Sequence, residues 1–278
     1  MRKKISMFVL MLLVASLLTA QVSYKGGAKI TLAYGSSFDA KADASFTVKL
    51  PLLQGDGPLF SGNNLAVTTT LAASPIAATA SVNAVLTPIA VAEVNLGAAV
   101  GTGWDFPPFG LEGLRLGSPL VSDQLKGAYY RARAGVALQF DTGVIFSSPW
   151  AGVLLRSYHE LNYSGYTGAQ AGEMWEFEIG GAMVNGFAYF GTHVIGYKIP
   201  WHVNLVGVQA ETYLYDIFGT KSDLFVDLSL LANTQVTDSI GVLVVGQFTN
   251  FKKDAASVLQ KRDALGFKRV AVITSFSF

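Results

Sequence analysis

Between Phe38 and Leu50 the chain alternates with almost no interruption. Even positions carry Phe, Ala, Ala, Ala, Phe, Val and Leu, and odd positions carry Asp39, Lys41, Asp43, Ser45, Thr47 and Lys49. A helix would scatter those charges around its circumference, whereas a strand sets them all on one face. Similar rows run from Tyr129 to Phe140 and from Ser222 to Asn233, and weaker ones around Trp201–Asp216 and Ile240–Phe251. The pattern predicts strands near 24–34, 38–50, 63–73, 76–86, 88–101, 126–140, 143–163, 173–198, 201–216, 221–233, 238–251 and 265–278. Turn chemistry separates them: Gly35-Ser36, Ser74-Pro75, Thr87-Pro88, Asp141-Thr142-Gly143, Pro200 and Gly219-Thr220.

Between Asp56 and Glu93 there are 36 consecutive uncharged residues, yet Pro58, Pro75, Pro88 and many Thr, Ser and Asn break them up. No segment after residue 20 offers the eighteen or so unbroken apolar residues that a spanning helix needs. Only 14% of the chain is charged, against about a quarter in soluble domains. In lipid, backbone polar groups can be satisfied only by helices or closed barrels, and barrel strands need about ten alternating residues each. The expected fold class is therefore all-β, a transmembrane antiparallel up-and-down β-barrel.

Parity refines the strand count, because single-chain barrels of bacteria have even numbers of strands and both ends on one side. Reading 173–198 as one long strand bent at Gly180-Gly181 gives twelve. That puts short turns at 87–88, 141–142 and 199–200 on the periplasmic side, and long connections at 102–125, 164–172 and 252–264 outside. Fourteen is the alternative, if 111–121 forms a further strand or if Met183–Gly186 is a hairpin turn accompanied by one more strand. The connection that starts at Gly103-Trp-Asp-Phe-Pro-Pro-Phe-Gly110 is aromatic and Leu-rich. It suits a segment folded into the barrel mouth, one lying on the lipid interface, or a surface loop.

The two ends carry residue-level signals. Met1-Arg2-Lys3-Lys4, an apolar run from Ile5 to Leu18 and Thr19-Ala20 have the plan of a secretory signal peptide with cleavage after Ala20. Residues 21–278 would then form the barrel. Removal of residues 1–20 leaves 17 basic against 19 acidic residues, a net charge of −2. No concentrated basic surface is present, so nucleic acid is not an expected partner. The chain has no cysteine, which excludes disulfides, thiolate metal sites and a lipid thioether.

At the other end, Val270-Ala-Val-Ile-Thr-Ser-Phe-Ser-Phe278 sets Phe276, Thr274, Val272 and Val270 on one face and ends on an aromatic. This resembles the C-terminal signature of bacterial outer-membrane β-barrel proteins, whose last strand is read by the insertion machinery. The resemblance implies that Phe276 and Phe278 are the insertion signal. It also implies a porin-like architecture in the outer membrane of a double-membrane bacterium, with outer-membrane lipid and the barrel-insertion machinery as partners.

With the apolar face turned to lipid, Tyr129, Arg131, Arg133, Gln139, Arg156, Tyr158, Glu160, Glu176, Glu178, Gln209 and Glu211 face the lumen, while Trp175, Phe177 and Ile179 face out. Opposed rows of Arg and Glu either line a water-filled passage that filters small polar solutes or pair and fill the lumen. Three histidines are present. His159 falls on the outward face, His202 sits beside Trp201 at a turn, and His193 lies among Phe187, Tyr189 and Phe190 as if in an aromatic girdle. None assembles with other residues into a recognisable catalytic or metal constellation, so no cofactor, metal or catalytic residue is expected. The leading functional expectation is a channel or transporter for small solutes. A closed barrel acting through its outer loops as an adhesin or structural protein, or a carrier of hydrophobic compounds, are the alternatives. Oligomeric state is not legible.

Overall fold

The computed structural model describes residues 22–278 except 36–37, 147, 149, 151 and 220–222; the proposed signal peptide lies outside the described residues. Twelve antiparallel strands close into one cylinder. They are β1 Ser23–Gly35, β2 Phe38–Pro51, β3 Asn64–Ser74, β4 Ala77–Ile89, β5 Ala92–Gly103 and β6 Tyr129–Asp141, followed by β7 Val153–Tyr166, β8 Gly186–Lys198, β9 Val203–Leu214, β10 Leu224–Thr237, β11 Ile240–Lys253 and β12 Leu259–Ser277. Each strand pairs with its sequence neighbours, and β1 closes on β12 from Gly27↔Ser277 to Gly35↔Arg269. Backbone bonds between Gly26 and Phe278 in both directions extend that seam. Among the described residues no helix is long and apolar enough to cross a membrane.

Register and alternation assign every side chain to one face. The outward row of β6 holds Val136, Leu138 and Phe140, aligned with Leu96 and Val94 on β5 and with Leu155 and His159 on β7. Leu138 is 65% exposed, Leu96 59% and Ile195 63%, values that only a non-aqueous surrounding makes favourable for so many neighbours at once. Tyr34 and Phe38 pair at the rim opposite the termini, the outer rim, while Phe276 and Phe278 lie at the inner rim beside the strand ends. The Phe276, Thr274, Val272, Val270 row of β12 faces outward with Ala28, Ile30, Leu32 and Tyr34.

Four boundaries differ from the sequence reading. β4 runs past Thr87 and Pro88 to Ile89, so the turn is 90–91; a register shift between Leu86 and Ile89 gives Pro88, which has no N–H, a place in a strand. The described residues between 143 and 152 are not strand. Thr142–Val144 forms a 3-10 turn whose Gly143 N–H donates to Asp141 Oδ1 at 2.9 Å, and β7 begins only at Val153. The inner rim therefore carries long connections, 52–63 and 142–152, as well as short ones. β11 and β12 stay paired out to Lys253↔Leu259, so the outer connection shrinks from the expected 252–264 to 254–258 and the hairpin projects.

The fourth difference bears on function. Residues 173–198 are not one bent strand. Trp175–Phe177 is a three-residue strand, Gly181 turns with φ +102°, and β8 starts at Gly186. The 111–121 segment adds no barrel strand either. It forms Leu111–Glu112 and Leu114–Leu116, and Val121–Ser122 follows. Trp175–Phe177 pairs with Leu114–Leu116, which also pairs with Val121–Ser122. The strand count stays at twelve.

A charge placed at the middle of a lipid-facing row has a depth-dependent cost of about 2–4 kcal/mol for Arg. Leu96→Arg, at the centre of β5, is expected to lower the unfolding free energy by about that amount in urea titrations of vesicle-embedded protein. A water-exposed site would tolerate the change with almost no loss.

Candidate functional site

The outer connections 104–128 and 167–185 meet inside the mouth and form a lid with its own small core. Leu114, Trp175 and Phe177 are buried there against Ala77 and Tyr166 of the barrel wall, with Leu116, Ala169 and Met183 around them. Phe177 stacks on Tyr129 of β6 with ring centroids 4.5 Å apart and planes 4° from parallel. Trp175 and Phe177 are thus turned into the lid core, not toward lipid. The alternation around Glu176 is real, but the two faces belong to this three-stranded sheet.

Glu176 and Glu178 accordingly leave the barrel wall to which the sequence reading assigned them. Glu176 is fully buried; it accepts a hydrogen bond from Arg115 of the lid, another from Lys253 Nζ of β11 at 2.9 Å, and the Gly181 N–H at 2.7 Å. Arg115 also donates to Ser257 Oγ at 2.8 Å. Glu178 meets Lys41 of β2 at 3.5 Å. The lid therefore rests on β4–β7 and is pinned across the mouth to β2 and to the β11–β12 hairpin. On its wall side, Asp123 accepts from the Tyr166 hydroxyl and pairs with Lys126 at 3.1 Å. Burial favours the neutral acid, but the Tyr166 and Lys126 interactions outweigh it and hold the Asp123 carboxyl below its ordinary range. The stabilisation from Asp123 is thus complete above its ordinary pKa near 3.8 and is lost as pH falls through the lowered folded value.

Below the lid, inward side chains form ion-paired clusters. Glu160 of β7 is 2% exposed and is the hub of the first. It takes hydrogen bonds from Arg131, from the Tyr158 hydroxyl at 2.7 Å and from Asn162 Nδ2 at 3.2 Å, with Arg133 at 4.0 Å. Arg133 also donates to Asn83 Oδ1 at 3.1 Å. Two guanidinium groups share one carboxylate, so this part of the wall carries excess positive charge. Arg156 pairs with Glu93 at 2.7 Å and lies over the Tyr158 ring. Two strands on, on β9, Glu211 accepts from the Tyr213 hydroxyl and from Gln247 Nε2, each at 3.1 Å. Gln247 in turn accepts from Arg269 Nε at 2.9 Å. Gln209 faces inward in register with Ser229.

Of the charged groups in these clusters, Arg131, Arg133 and Glu160 border a cavity of about 570 Å³ between the wall and the lid. Tyr129, Tyr158, Phe190, Tyr213 and Phe225 supply its aromatic lining, Met174 and Met183 its lid side, and Asp216 and Asp223 its outer edge. The sequence reading placed the arginines and Glu160 on the inward face. It missed Lys253, Lys268 and Arg269 as wall charges. Lys268 bonds Asp227, and Arg269 lies 3.5 Å from Asp39. Those contacts cross strands far apart in the sequence, and no local signal encodes them.

A closed cylinder with apolar rows outside, paired charges inside and irregular backbone confined to its mouth is a transmembrane β-barrel of the outer-membrane class. No family model and no curated protein matches the chain. Among solved structures, it is similar to the NanC porin at 10% identity, covering 90% of this chain and 98% of that one with a TM-score of 0.44. The KdgM porin shares 10% identity over 91% of this chain and 99% of its own, with a TM-score of 0.41. In-vitro folded OmpT of Vibrio cholerae shares 7% over 93% and 99%, with a TM-score of 0.42.

Removing one member of a buried charge cluster strands the others, at a cost of about 3–5 kcal/mol. Glu176→Leu leaves Arg115 and Lys253 facing a hydrocarbon side chain. Hydrogen exchange at Leu114, Trp175 and Phe177 is expected to accelerate by two orders of magnitude or more, while amides at the centre of the β9–β10 ladder keep their protection.

Proposed function

We propose that this chain is a porin-like channel for small polar solutes in the outer membrane, with an outer mouth narrowed by the 104–128 and 167–185 lid. The observation that carries the proposal is the 570 Å³ cavity, walled by Arg131, Arg133 and Glu160 and bordered at its outer edge by Asp216 and Asp223. An interior lined by paired charges stays wettable, and a solute that enters exchanges water for polar side chains. A carrier of hydrophobic compounds would need an apolar bore, which these clusters do not supply. The lid pins favour a gated opening over a bare structural anchor, since Glu176, Arg115 and Lys253 join a lid loop to the wall across the mouth.

The proposal includes export directed by residues 1–20, recognition of Phe276 and Phe278 by the insertion machinery, and contact of the outward rows with outer-membrane lipid. It is non-enzymatic. Ser157, His159 and Tyr189 on the outward face have the connectivity of nucleophile, base and orienting group. Ser157 lies within ladders to Leu138 and His193, so the surrounding strand N–H groups are committed to neighbouring strands and cannot cradle an oxyanion.

In planar bilayers the purified chain is expected to give discrete conductance steps, and Glu176→Leu larger or more frequent ones as the lid loosens. Silence both with the lid intact and with residues 105–124 deleted would overturn the channel. Neutralising Arg131, Arg133 and Arg156 together to Gln is expected to shift reversal potentials in a salt gradient toward cation selectivity. An unchanged reversal potential removes those three from the conduction path.

A further inference from the structure

The outward face of β7 and β8 is interrupted at mid-height by a chain of four polar side chains. Ser157 Oγ lies 2.9 Å from His193 Nδ1 and 3.1 Å from His159 Nε2, and His159 Nδ1 lies 2.7 Å from the Tyr189 hydroxyl. Around them the same face presents Val136, Leu161, Ile195 and Val208, all more than 40% exposed. His193 is therefore not part of a rim girdle, as its aromatic neighbours in sequence suggested. Gly191 makes room for the arrangement: a Cβ there would come 2.7 Å from the Tyr189 hydroxyl and 2.5 Å from Thr212 Oγ1.

Depth restricts what can meet this chain. His159 is six residues from one end of β7 and seven from the other, about 20 Å of strand each way. Lipid headgroups stay at the rims, and polar side chains at such depth are rare and face a partner. Proton accounting shows which atom wants one. If Tyr189 donates to His159, then His159 donates to Ser157, Ser157 to His193, and His193 Nε2–H is left as a donor. If every bond reverses, His193 Nε2 is left as an acceptor. In both cases His193 Nε2 has no partner among the described residues.

A surface that can present either a donor or an acceptor from the same atom is complementary to itself. Two copies in one membrane share their orientation, so a two-fold axis between them runs along the membrane normal and matches residues of equal depth. One copy with Nε2–H directed outward and one with bare Nε2 satisfy each other. Ala210, in register with His193, and the apolar groove of about 680 Å³ lined by Leu138, Leu155, Ile195 and Val208 supply the small and greasy surroundings for close packing. We propose that a second copy of this chain docks on the β7–β9 face, with the two His193 side chains hydrogen-bonded near the axis.

The inference rests on the reading of this face as lipid-facing, and the test separates the two. The chain has no cysteine, so a single introduced one links only to another molecule. Outer-membrane fractions carrying Ala210→Cys, or Ala44→Cys on the opposite wall, are treated with a short bis-maleimide, and heat-shifted gel migration reports the folded barrel. Ala210→Cys should give several-fold more covalent dimer than Ala44→Cys, and His193→Leu added to Ala210→Cys should abolish the excess. In parallel, native mass spectrometry of the unsubstituted chain from mild detergent should show a dimer. Equal linking at both positions, a link to a different protein, persistence after His193→Leu, or a monomeric mass overturns the dimer while leaving the barrel intact. Failure to recover folded protein from the outer membrane overturns the membrane reading itself.

Discussion

One seam holds the whole molecule to its shape: nine residue pairs from Gly27↔Ser277 to Gly35↔Arg269 join the first strand to the last. In hydrocarbon an open sheet edge would leave a row of N–H and C=O groups without water, at several kcal/mol each. Closure is therefore a condition of the fold and not a refinement of it. Once the ladder is a ring, the two-residue period of the strand leaves each side chain only two addresses, lipid or lumen. The outward greasy rows and the inward charges are two results of that single constraint.

The charges gathered inside then need one another. The wall excludes water from one side of each carboxylate, so its oxygens are satisfied only where donors converge on them. Glu160, held by Arg131, Tyr158 and Asn162, and Glu211, held by Tyr213 and Gln247, meet that requirement from different strands. Glu176 meets it from different substructures, with a barrel lysine and a lid arginine on one carboxylate. The same electrostatic need that orders the wall thus fastens the lid to it.

The alternation of β2 and of β6 is legible without coordinates because every residue in them answers to the lipid–lumen boundary alone. The Trp175–Glu178 stretch alternates just as well, yet it answers to the core of the lid and not to the lipid–lumen boundary. Alternation reports that a strand has unlike faces, and a buried core of Leu114 and Tyr166 selects apolar side chains as strongly as lipid does. Asp141-Thr142-Gly143 advertises a turn, but nothing local says that the next barrel strand begins only at Val153. The Glu176 cluster joins residues 61 and 77 positions apart in sequence, and the Ser157–His193 contact depends on the register of β7 against β8. Strand pattern is a local property, whereas charge pairing is a property of closure, and only the first is written along the chain.

The two halves of the wall explain where the lid roots and where the cavity remains. Inward positions on β3, β4 and β5 are mostly small: Ala66, Thr68, Thr70, Ala72, Ala77, Thr79, Ser81, Gly97, Ala99 and Gly101. Inward positions on β6 to β10 include Tyr129, Arg131, Arg133, Tyr158, Phe190, Tyr213 and Phe225. The aromatic core of the lid settles where the two arcs meet, against Ala77 of the small arc and against Tyr129 and Tyr166 on the first strands of the bulky one. A Cβ at Gly101 would come 3.0 Å from Phe177 Cζ, and one at Gly113 would fall 1.8 Å from the Ile76 carbonyl oxygen. Farther round the bulky arc, the rings of Tyr158, Phe190, Tyr213 and Phe225 and the guanidinium groups of Arg131 and Arg133 face the lid across the 570 Å³ space. The asymmetry of side-chain size around one closed sheet thus decides both what blocks the mouth and what stays open beneath it.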